Sequence, residues 1–450
     1  MFRADAVNTF RFTRFDFDES QATAELEYAF DDTHQFIETI TFPNARLPLD
    51  EVRRAALTRV LYYLHLVAGV SYYKAAVPPQ IEVGTRKPDT ADASFMEKLY
   101  LHGLGEFAYQ NQLNLQDRIK FPTSAVQPAQ PRLEPILPSG VVLPLGGGKD
   151  SLVSLNILQH AGIQPTLFSV GNPPPIQAIV QHSGLPHIWV QRRISPDLLE
   201  LNKQGALNGH VPISAIIALI SAAAAILYDF DTVVMSNERS ANVGNLSMQG
   251  LEINHQYSKS LEFERDFAEL CNKMLPGFRY FSLLRPLSEL DIARLFSQAD
   301  DYDAIFSSCN ASYRINNPQN KNWCLDCPKC RFVFLSMAPF MDKARVLNIF
   351  GKNLLSDSAQ QHGFDALIGH GDHKPFECVG EIEESLAAFW LLSKRPEWQE
   401  DHIIRHFVGD ILPALESPQG LVDTALSPTN SANLPEEFRA YLDAYRRPEK

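Results

Sequence analysis

A glycine-rich turn between a predicted strand and a predicted helix carries the clearest chemistry in the chain. Residues 141–151 read VVLPLGGGKDS. Three consecutive glycines would let the backbone approach an anion closely, and the N–H groups that open the next helix would point toward it. A lysine and a serine add a positive charge and a hydroxyl group. With an ordinary tight turn as the alternative, the pattern predicts a phosphate-binding loop made of Gly146, Gly147, Gly148, Lys149, Asp150 and Ser151.

The spacing of this loop excludes the two commonest nucleotide-binding motifs. It is neither a G-x-x-x-x-G-K-[ST] loop nor a G-x-G-x-x-G loop followed by an acidic residue about 20 positions later. A loop above the carboxyl end of a sheet should keep its side chains outside the core. We therefore expect Lys149→Ala and Asp150→Ala to abolish phosphate chemistry while leaving the fold intact.

Four of the six cysteines form a second chemical pattern. Three of them follow one another at two-residue gaps, and the fourth lies upstream. Such gaps let successive thiolates turn toward one ion, and four thiolates are the set that structural zinc takes in a closed tetrahedral site. An iron–sulfur cluster uses the same ligands, and four unrelated buried thiols are the simplest alternative. The spacing favours a zinc site formed by Cys309, Cys324, Cys327 and Cys330.

A fifth cysteine, Cys378, is a candidate for proton transfer. It lies in a polar, glycine-containing segment, residues 369–380, which leads into a predicted helix whose N-terminus would lower a thiol pKa. A lone cysteine is more often a packing residue. His373, Glu377 and Glu381 compete for the same role, and Lys149 is the remaining catalytic candidate.

Two histidines and the last cysteine complete the set of candidates. His210 and His255 are further possible bases, with a hydrogen-bonded structural role as the alternative for each. Cys271 lies on a predicted amphipathic helix near 258–275 and is expected in the core.

The composition describes an acidic globular chain. A net charge of −13 and a pI near 5.5 disfavour nucleic acid as a partner, because phosphate backbones bind basic surfaces. The first residues contain no continuous apolar segment, so nothing suggests export. An uncharged run at 211–228 approaches membrane-spanning length, but its alanine and serine content predicts a buried helix on a sheet. We expect a cytoplasmic protein that binds no membrane; its oligomeric state is not predicted.

An alternation of strands and helices positions these chemical segments. Helices follow the first four of five strands predicted at 140–145, 165–170, 187–191, 232–236 and 279–283. This alternation predicts an α/β fold with a doubly wound parallel sheet. Ligands bind beyond the carboxyl ends of such strands, so Ser236 and Asn237 should face the same crevice as the glycine loop.

The two ends of the chain follow other patterns. Alternating apolar and polar residues predict antiparallel strands at 10–17, 22–30 and 36–42, and helices follow near 49–68 and 92–112. A proline-rich linker is predicted at 122–138. Beyond 330 the pattern is mostly helical, with a surface loop at 415–435. The predicted units are an α+β domain for substrate recognition at 1–130, a central domain at 138–345 with the cysteine module at 309–330, and a helical region at 346–450.

The glycine loop resembles the S-G-G-x-D-S loop of the PP-loop ATP pyrophosphatases, with Gly146 in place of the first serine. That superfamily cleaves ATP to AMP and pyrophosphate, and the resemblance implies its HUP-like sheet for the central domain. The C-x-x-C-x-x-C run resembles the zinc module of the 7-cyano-7-deazaguanine synthases, another PP-loop family. This likeness leaves a PP-loop ligase or a nucleobase-modifying synthase as an alternative function, and a nucleotide-binding regulator without turnover is a third.

A wider resemblance covers most of the chain. It rests on the glycine loop and on the segments NGHVPI at 208–213, VMSNERSAN at 234–242, CPKCRF at 327–332 and FECVG at 376–380. Together these segments resemble the MurL family, the UDP-N-acetylmuramoyl-L-alanyl-L-glutamate epimerases. The resemblance implies a bacterial enzyme of peptidoglycan precursor synthesis that inverts the terminal glutamate of a UDP-linked muramoyl dipeptide while ATP becomes AMP and pyrophosphate.

The implied ATP chemistry gives two carboxylates a role in magnesium binding. It also explains why the substrate would be adenylated. Asp150 and Glu238 are expected near Mg²⁺, which prefers carboxylate and phosphate oxygens. Helix capping is the alternative for Asp150, and a solvated surface position is the alternative for Glu238. Removing a Cα proton beside a free carboxylate would create a doubly charged enolate, whereas an acyl-adenylate can accept that charge at its carbonyl.

Overall fold

The computed structural model describes residues 2–84, 86–124, 135–248, 250–313, 322–370, 375–430 and 433–447. Most of the predicted linker at 122–138 and the candidate base His373 lie outside these ranges.

The described residues contain strands at all eight positions that the sequence predicts. The strands are β1 Thr9–Asp18, β2 Thr23–Phe30, β3 His34–Thr41, β4 Gln80–Val83, β5 Val141–Pro144, β6 Thr166–Val170, β7 His187–Arg193, β8 Thr232–Met235, β9 Leu246–Met248, β10 Leu251–Ile253 and β11 Arg279–Ser282. Strands β4, β9 and β10 are four residues long or shorter and were not predicted.

Helices fill the intervals between the strands and most of the chain beyond them. Those of the first half are α1 Glu51–Ala68, α2 Val70–Tyr73, α3 Thr90–Gly103, α4 Gly105–Gln110, α5 Lys149–His160, α6 Pro174–Ser183, α7 Pro196–Lys203 and α8 Ile213–Tyr228. The later helices are α9 Leu261–Met274, α10 Glu289–Phe296, α11 Pro328–Met337, α12 Lys343–Phe350, α13 Gln361–Leu367, α14 Ile382–Ser393, α15 His402–His406, α16 Pro418–Ala425 and α17 Glu436–Arg446. The predicted surface loop at 415–435 is therefore wrong in part, because α16 lies within it.

The main sheet is mixed, with strand order β11-β8-β5-β6-β7-β3-β2-β1-β4. The five strands from β11 to β7 are parallel, as the alternating pattern predicts. Strand β3 then pairs with β7 in the antiparallel sense, and β2 and β1 continue the antiparallel part. The predicted parallel sheet is thus confirmed for these five strands, but its separation from the N-terminal strands is wrong, because those strands extend the same sheet.

A buried ion pair marks the junction between the two parts of the sheet. Glu38 on β3 is fully buried, and its Oε1 accepts a hydrogen bond of 2.7 Å from Nε of Arg192 on β7. One hydrophobic cluster contains Phe12, Val142 and Ala218 and therefore includes residues on both sides of position 130. The division of the chain at 130 and 345 stays a prediction.

Helix α8 explains the apolar run at 211–228. Thirteen of its residues are buried, and it packs against α1, so its alanine and serine side chains allow close helix packing. Within the described ranges, no helix is both long enough and apolar enough to cross a membrane.

Candidate active site

The glycine loop joins the carboxyl end of β5 to the first turn of α5, and each glycine has a different environment. Gly147 has φ +80°, a conformation that disfavours side chains. A Cβ on Gly148 would lie 2.6 Å from Oγ of Ser308, whereas a Cβ on Gly146 would meet no atom within 4 Å. The loop is therefore pressed against the chain at Gly148 and open to a cleft at Gly146.

Lys149 is buried, which contradicts the expectation that its side chain lies outside the core. Its side chain is 1% exposed and forms an ion pair with Glu289, which is equally buried. Its Nζ also donates to Oδ1 of Asp150 at 2.5 Å. Burial would raise the pKa of Glu289, but the charges of Lys149, Lys329 and Lys259 together lower that pKa to about 2. Lys149→Ala would therefore leave a buried carboxylate without its main partner.

A cleft of about 380 Å³ opens beside the glycine loop. Four residues of the predicted loop line the cleft, namely Gly146, Gly148, Asp150 and Ser151, together with Ser236 and Asn237. The structure thus brings together the two segments that the sheet pattern placed in one crevice. Lys149 and Gly147 are not among the residues that line this cleft.

Two lysines that the sequence analysis did not select supply the positive charge of the cleft. Lys259 and Lys329 both line it. Nζ of Lys329 lies 3.6 Å from Oε1 of Glu289 and donates a hydrogen bond to the carbonyl oxygen of Cys378. Lys329 stands between two cysteines of the predicted metal site, a position that could have signalled it. Lys259 follows no motif.

Cys378 lines the same cleft as the glycine loop. Its Sγ lies 3.1 Å from Nζ of Lys259, and its thiol also interacts with the side chain of His255. Burial alone would raise the pKa of the thiol, but the charge of Lys259 and the bond from His255 lower it to about 6. At neutral pH, Cys378 is therefore mostly a thiolate and can act as a base.

Two carboxylates lie close to this group of charges. Glu238 is 4% exposed, so the surface alternative for this residue is wrong. Burial, reinforced by the charge of Glu289, raises the pKa of Glu238 to about 7. Asp150 lies in the first turn of α5, whose N-cap position is Gly148, so it does not occupy the capping position. Asp150 lines the cleft, whereas Glu238 is not among the residues that line it.

A buried arginine fixes the backbone on the Lys259 side of the cleft. Arg285 is 2% exposed, and its guanidinium donates to the carbonyl oxygens of Glu238 at 2.8 Å and Lys259 at 2.6 Å. Its charge is balanced by Glu264 at 2.9 Å. Arg285 therefore holds two residues of the site in place without lining the cleft.

Glu377 and Glu381, the other described candidates for the base, do not line the cleft. Oε2 of Glu377 accepts a hydrogen bond of 3.3 Å from the backbone N–H of Lys329. Glu381 occupies the N-cap position of α14. Cys271 is 1% exposed, which confirms its predicted place in the core.

The four clustered cysteines converge as predicted. Their four sulfur atoms lie within 4.8 Å of one another, so they can hold a metal ion. The segment that leads into the cluster contacts the glycine loop, because the backbone N–H of Ser307, two residues before Cys309, donates to the carbonyl oxygen of Gly147 at 2.9 Å. The next residue, Ser308, lines the cleft and packs against Gly148.

Glu106, His210 and His255 form a second convergence of donor atoms, also within 4.8 Å of one another. Oε2 of Glu106 contacts Nδ1 of His255 directly and lies 3.5 Å from Nδ1 of His210. Two ligands about 2.1 Å from one ion are spaced about 3.4 Å apart in a tetrahedral site, farther than a direct hydrogen bond. We therefore assign the contact of Glu106 with His255 to a hydrogen bond.

Comparisons with known proteins identify the family. The MurL N-terminal domain matches residues 1–283, and the MurL C-terminal domain matches residues 305–419. The chain belongs to the MurL family. This assignment confirms the family that the sequence motifs resemble.

Three curated MurL relatives match nearly the whole chain, and each bears the name UDP-N-acetyl-alpha-D-muramoyl-L-alanyl-L-glutamate epimerase. The relative from Xanthomonas oryzae pv. oryzae is 46% identical over 91% of this chain and 91% of its own length. Those from Micromonospora sp. and Salinispora tropica are 43% and 39% identical over 97% and 98% of this chain, and 98% and 97% of their own lengths. No solved structure matches the chain.

Proposed function

We propose that the protein is an ATP-dependent epimerase that inverts the terminal L-glutamate of UDP-N-acetylmuramoyl-L-alanyl-L-glutamate. The names of three near-full-length relatives support the substrate and the outcome. One observation carries the proposal for this chain: Cys378, whose pKa is about 6, lines the same cleft as the glycine loop. A phosphate cradle and a thiolate base therefore face one space.

Adenylation is the proposed first step. An oxygen of the substrate α-carboxylate attacks the α phosphorus of ATP, and the bond to the β phosphate breaks, so that pyrophosphate leaves with the electron pair. The amides around Gly146 and the ammonium groups of Lys259 and Lys329 offset the phosphate charge. Asp150 and Glu238 would hold Mg²⁺, which neutralises phosphate oxygens when bound.

Proton transfer follows on the acyl-adenylate. The thiolate of Cys378 removes the Cα proton, and the electron pair moves onto the acyl carbonyl oxygen, where the ammonium groups of Lys259 and Lys329 stabilise it. The enolate electron pair then returns to Cα, which takes a solvent proton on the opposite face, and the Cys378 thiol releases its proton to solvent. Water finally attacks the carbonyl carbon, and AMP leaves with the electrons of the C–O bond. The net change is inversion at Cα with ATP converted to AMP and pyrophosphate.

The cysteine cluster is proposed to hold a structural zinc ion. Sγ of Cys324 and Sγ of Cys330 lie 3.8 Å apart. Two sulfurs of a tetrahedral site with Zn–S bonds near 2.3 Å are expected about 3.8 Å apart. In a four-iron cluster each thiolate binds a different iron atom, which spaces the sulfurs more widely. The ion would hold Lys329 and Ser308 against the cleft.

Turnover in D₂O with the UDP-linked muramoyl dipeptide tests the proposed function. We expect AMP and pyrophosphate from ATP, glutamate of D configuration in the product, and deuterium at its Cα. UDP-N-acetylmuramoyl-L-alanine, which lacks the glutamate, should support no turnover. Formation of ADP would contradict adenylation, and inversion without deuterium would contradict an exchangeable base. AMP formation with unchanged configuration would favour a PP-loop ligase or synthase.

A further inference from the structure

The thiolate of Cys378 lies at the end of a row of three interacting side chains, which come from distant parts of the sequence. The side chain of His255 interacts with the Cys378 thiol. Nδ1 of the same ring contacts Oε2 of Glu106. The order thiol, imidazole and carboxylate is the order found in nucleophile–base–orienter triads, where the carboxylate fixes the ring and favours its protonated form.

Each member of this chain is held in place by its own contacts. Glu106 lies in the first turn of α4 and is 7% exposed, and its Oε1 accepts a hydrogen bond of 2.7 Å from Gln110 one turn later. The backbone N–H of His255 donates to Oδ1 of Asn245 at 3.1 Å. Nδ2 of the same asparagine donates to the carbonyl oxygen of Pro375 at 3.3 Å. Asn245 therefore links the His255 segment to the loop that carries Cys378.

We propose that Glu106 and His255 are positioning residues that hold Cys378 in its thiolate form and aim it into the cleft. His255 donates a hydrogen bond to the sulfur, and Glu106 stabilises the positive imidazole that makes this bond. The inference rests on the proposed function only in using the thiolate as the base.

The charges around the imidazole agree with this assignment. Burial would lower the pKa of His255, but its bonds to Cys378 and Glu106 raise it to about 9. The neighbouring ring of His210 lies 4.5 Å away, and burial lowers its pKa to about 4, so it stays neutral. The other charged or titratable groups next to this assembly are His210, Lys259 and Lys329, and Glu238 and Asp150 act in turn on Lys259.

The alkylation of Cys378 as a function of pH tests the proposal without substrate. The full chain is treated with iodoacetamide, and the rate at Cys378 is measured by peptide mass spectrometry, separately from the exposed Cys324. In the wild type, the alkylation midpoint should lie near pH 6. His255→Asn should move the midpoint upward and slow alkylation at pH 7 by about tenfold, because the thiolate fraction falls. Glu106→Gln should move the midpoint in the same direction. Glu106→Asp, which keeps a carboxylate, should leave the midpoint much closer to the wild-type value.

His102→Asn is the matched control. This ring stacks on Tyr257, two residues from His255, at a centroid distance of 5.0 Å. The control should leave the alkylation profile of Cys378 unchanged. Circular dichroism checks that each variant is folded. In folded variants, the acid limb of the epimerisation pH profile should move upward together with the alkylation midpoint.

Wild-type alkylation profiles in folded Glu106→Gln and His255→Asn would overturn the proposal and leave Lys259 and Lys329 to stabilise the thiolate. Because alkylation is measured without ATP or dipeptide, this failure is distinct from failure of the proposed function. Absence of epimerisation in the wild type, with the alkylation shift present, would refute the function and leave the thiolate assignment intact.

Discussion

The two walls of the cleft are built in different ways. The glycine wall, residues 146–151, follows a strand directly and gets its shape from local backbone conformation, with Gly147 at φ +80°. The thiol wall, residues 254–259 and 375–380, lies in irregular segments that remote side chains hold in place, chiefly Glu106, Asn245 and Arg285. A sequence motif can predict a wall formed by consecutive residues. A wall formed by residues that are distant in sequence can be recognised only in the folded structure.

The lysines of the two walls show the same contrast. Lys149 belongs to the motif, yet its side chain turns away from the cleft and neutralises buried Glu289. Lys259 belongs to no motif, yet it lies in the cleft and contacts the thiol. A motif lysine can therefore support the site through the core, while the charge that faces the ligand comes from elsewhere.

Removal of the thiol should give the largest effect and test the thiol wall alone. We expect Cys378→Ala to lower both inversion and Cα deuterium exchange by at least about 100-fold, because a positioned general base is lost. ATP binding, assigned to the glycine wall, should stay near the wild-type value by calorimetry. Cys271→Ala, which removes a thiol from the core, serves as the control. Wild-type inversion by Cys378→Ala would move the search for the base to His373, Glu377 and Glu381.

Loss of the proposed metal should disturb both walls, because residues next to the cluster cysteines contact them: Ser307 contacts the glycine wall and Lys329 the thiol wall. Cys327→Ser is expected to reduce zinc from about one ion per chain to none and to lower Tm by roughly 5 °C or more. Elemental analysis and calorimetry measure these changes, with Cys271→Ser as a variant that keeps its metal. Iron and acid-labile sulfide in anaerobically purified protein would show that the four cysteines hold an iron–sulfur cluster instead of zinc.

Lys149→Ala should act on stability, in contrast to what the sequence pattern predicts. The free energy of unfolding should fall by about 3 kcal/mol, because a buried carboxylate loses its main partner. Lys203→Ala breaks an exposed ion pair with Glu200, whose side chain is 55% exposed, and should cost less than about 1 kcal/mol. Urea denaturation of both variants measures the difference. Equal stabilities would mean that Glu289 is neutralised by another group.

A pair of glycine variants should give the smallest effects. The pair distinguishes the backbone conformation of the glycine wall from the space that the wall leaves for ATP. Gly147→Ala should lower the free energy of unfolding by about 1–2 kcal/mol, because alanine resists the left-handed conformation. Gly146→Ala meets no atom within 4 Å and should leave stability unchanged. Its methyl group would enter the cleft, so the Kd for ATP should rise. Thermal melts and ATP titrations of the two variants provide the measurements.

Most of the fold was predictable because the sheet strands are short apolar or alternating runs between turn residues. All eight predicted strands, the buried helix α8 and the convergence of four cysteines agree with the sequence pattern. The partner of β3 was not predictable, because the ion pair between Glu38 and Arg192 joins residues 154 positions apart. Periodicity describes which face of a strand is buried but not which strand lies next to it.

The candidate site was predictable only where it is local. The sequence pattern placed Gly146, Ser151 and Ser236 in one crevice, and the structure has them there. Glu106 and Lys259 were missed because a single acidic or basic residue resembles any solvated surface residue. Their roles depend on burial and on partners more than 100 residues away in sequence, which are properties of the folded chain.

The pairing of β3 with β7 has a consequence for synthesis of the chain. Strand β3 pairs with β7 through Thr39, Ile40 and Thr41, which lie opposite residues 191–193. This edge of β3 therefore gains its neighbouring strand only after some 150 further residues have been synthesised. At ribosomal rates of 5–20 residues per second, that edge stays unpaired for about 8–30 seconds. An open strand edge can pair with a strand of another chain during this interval. Slow translation should therefore raise aggregation of this protein, and a chaperone that covers β3 should lower it.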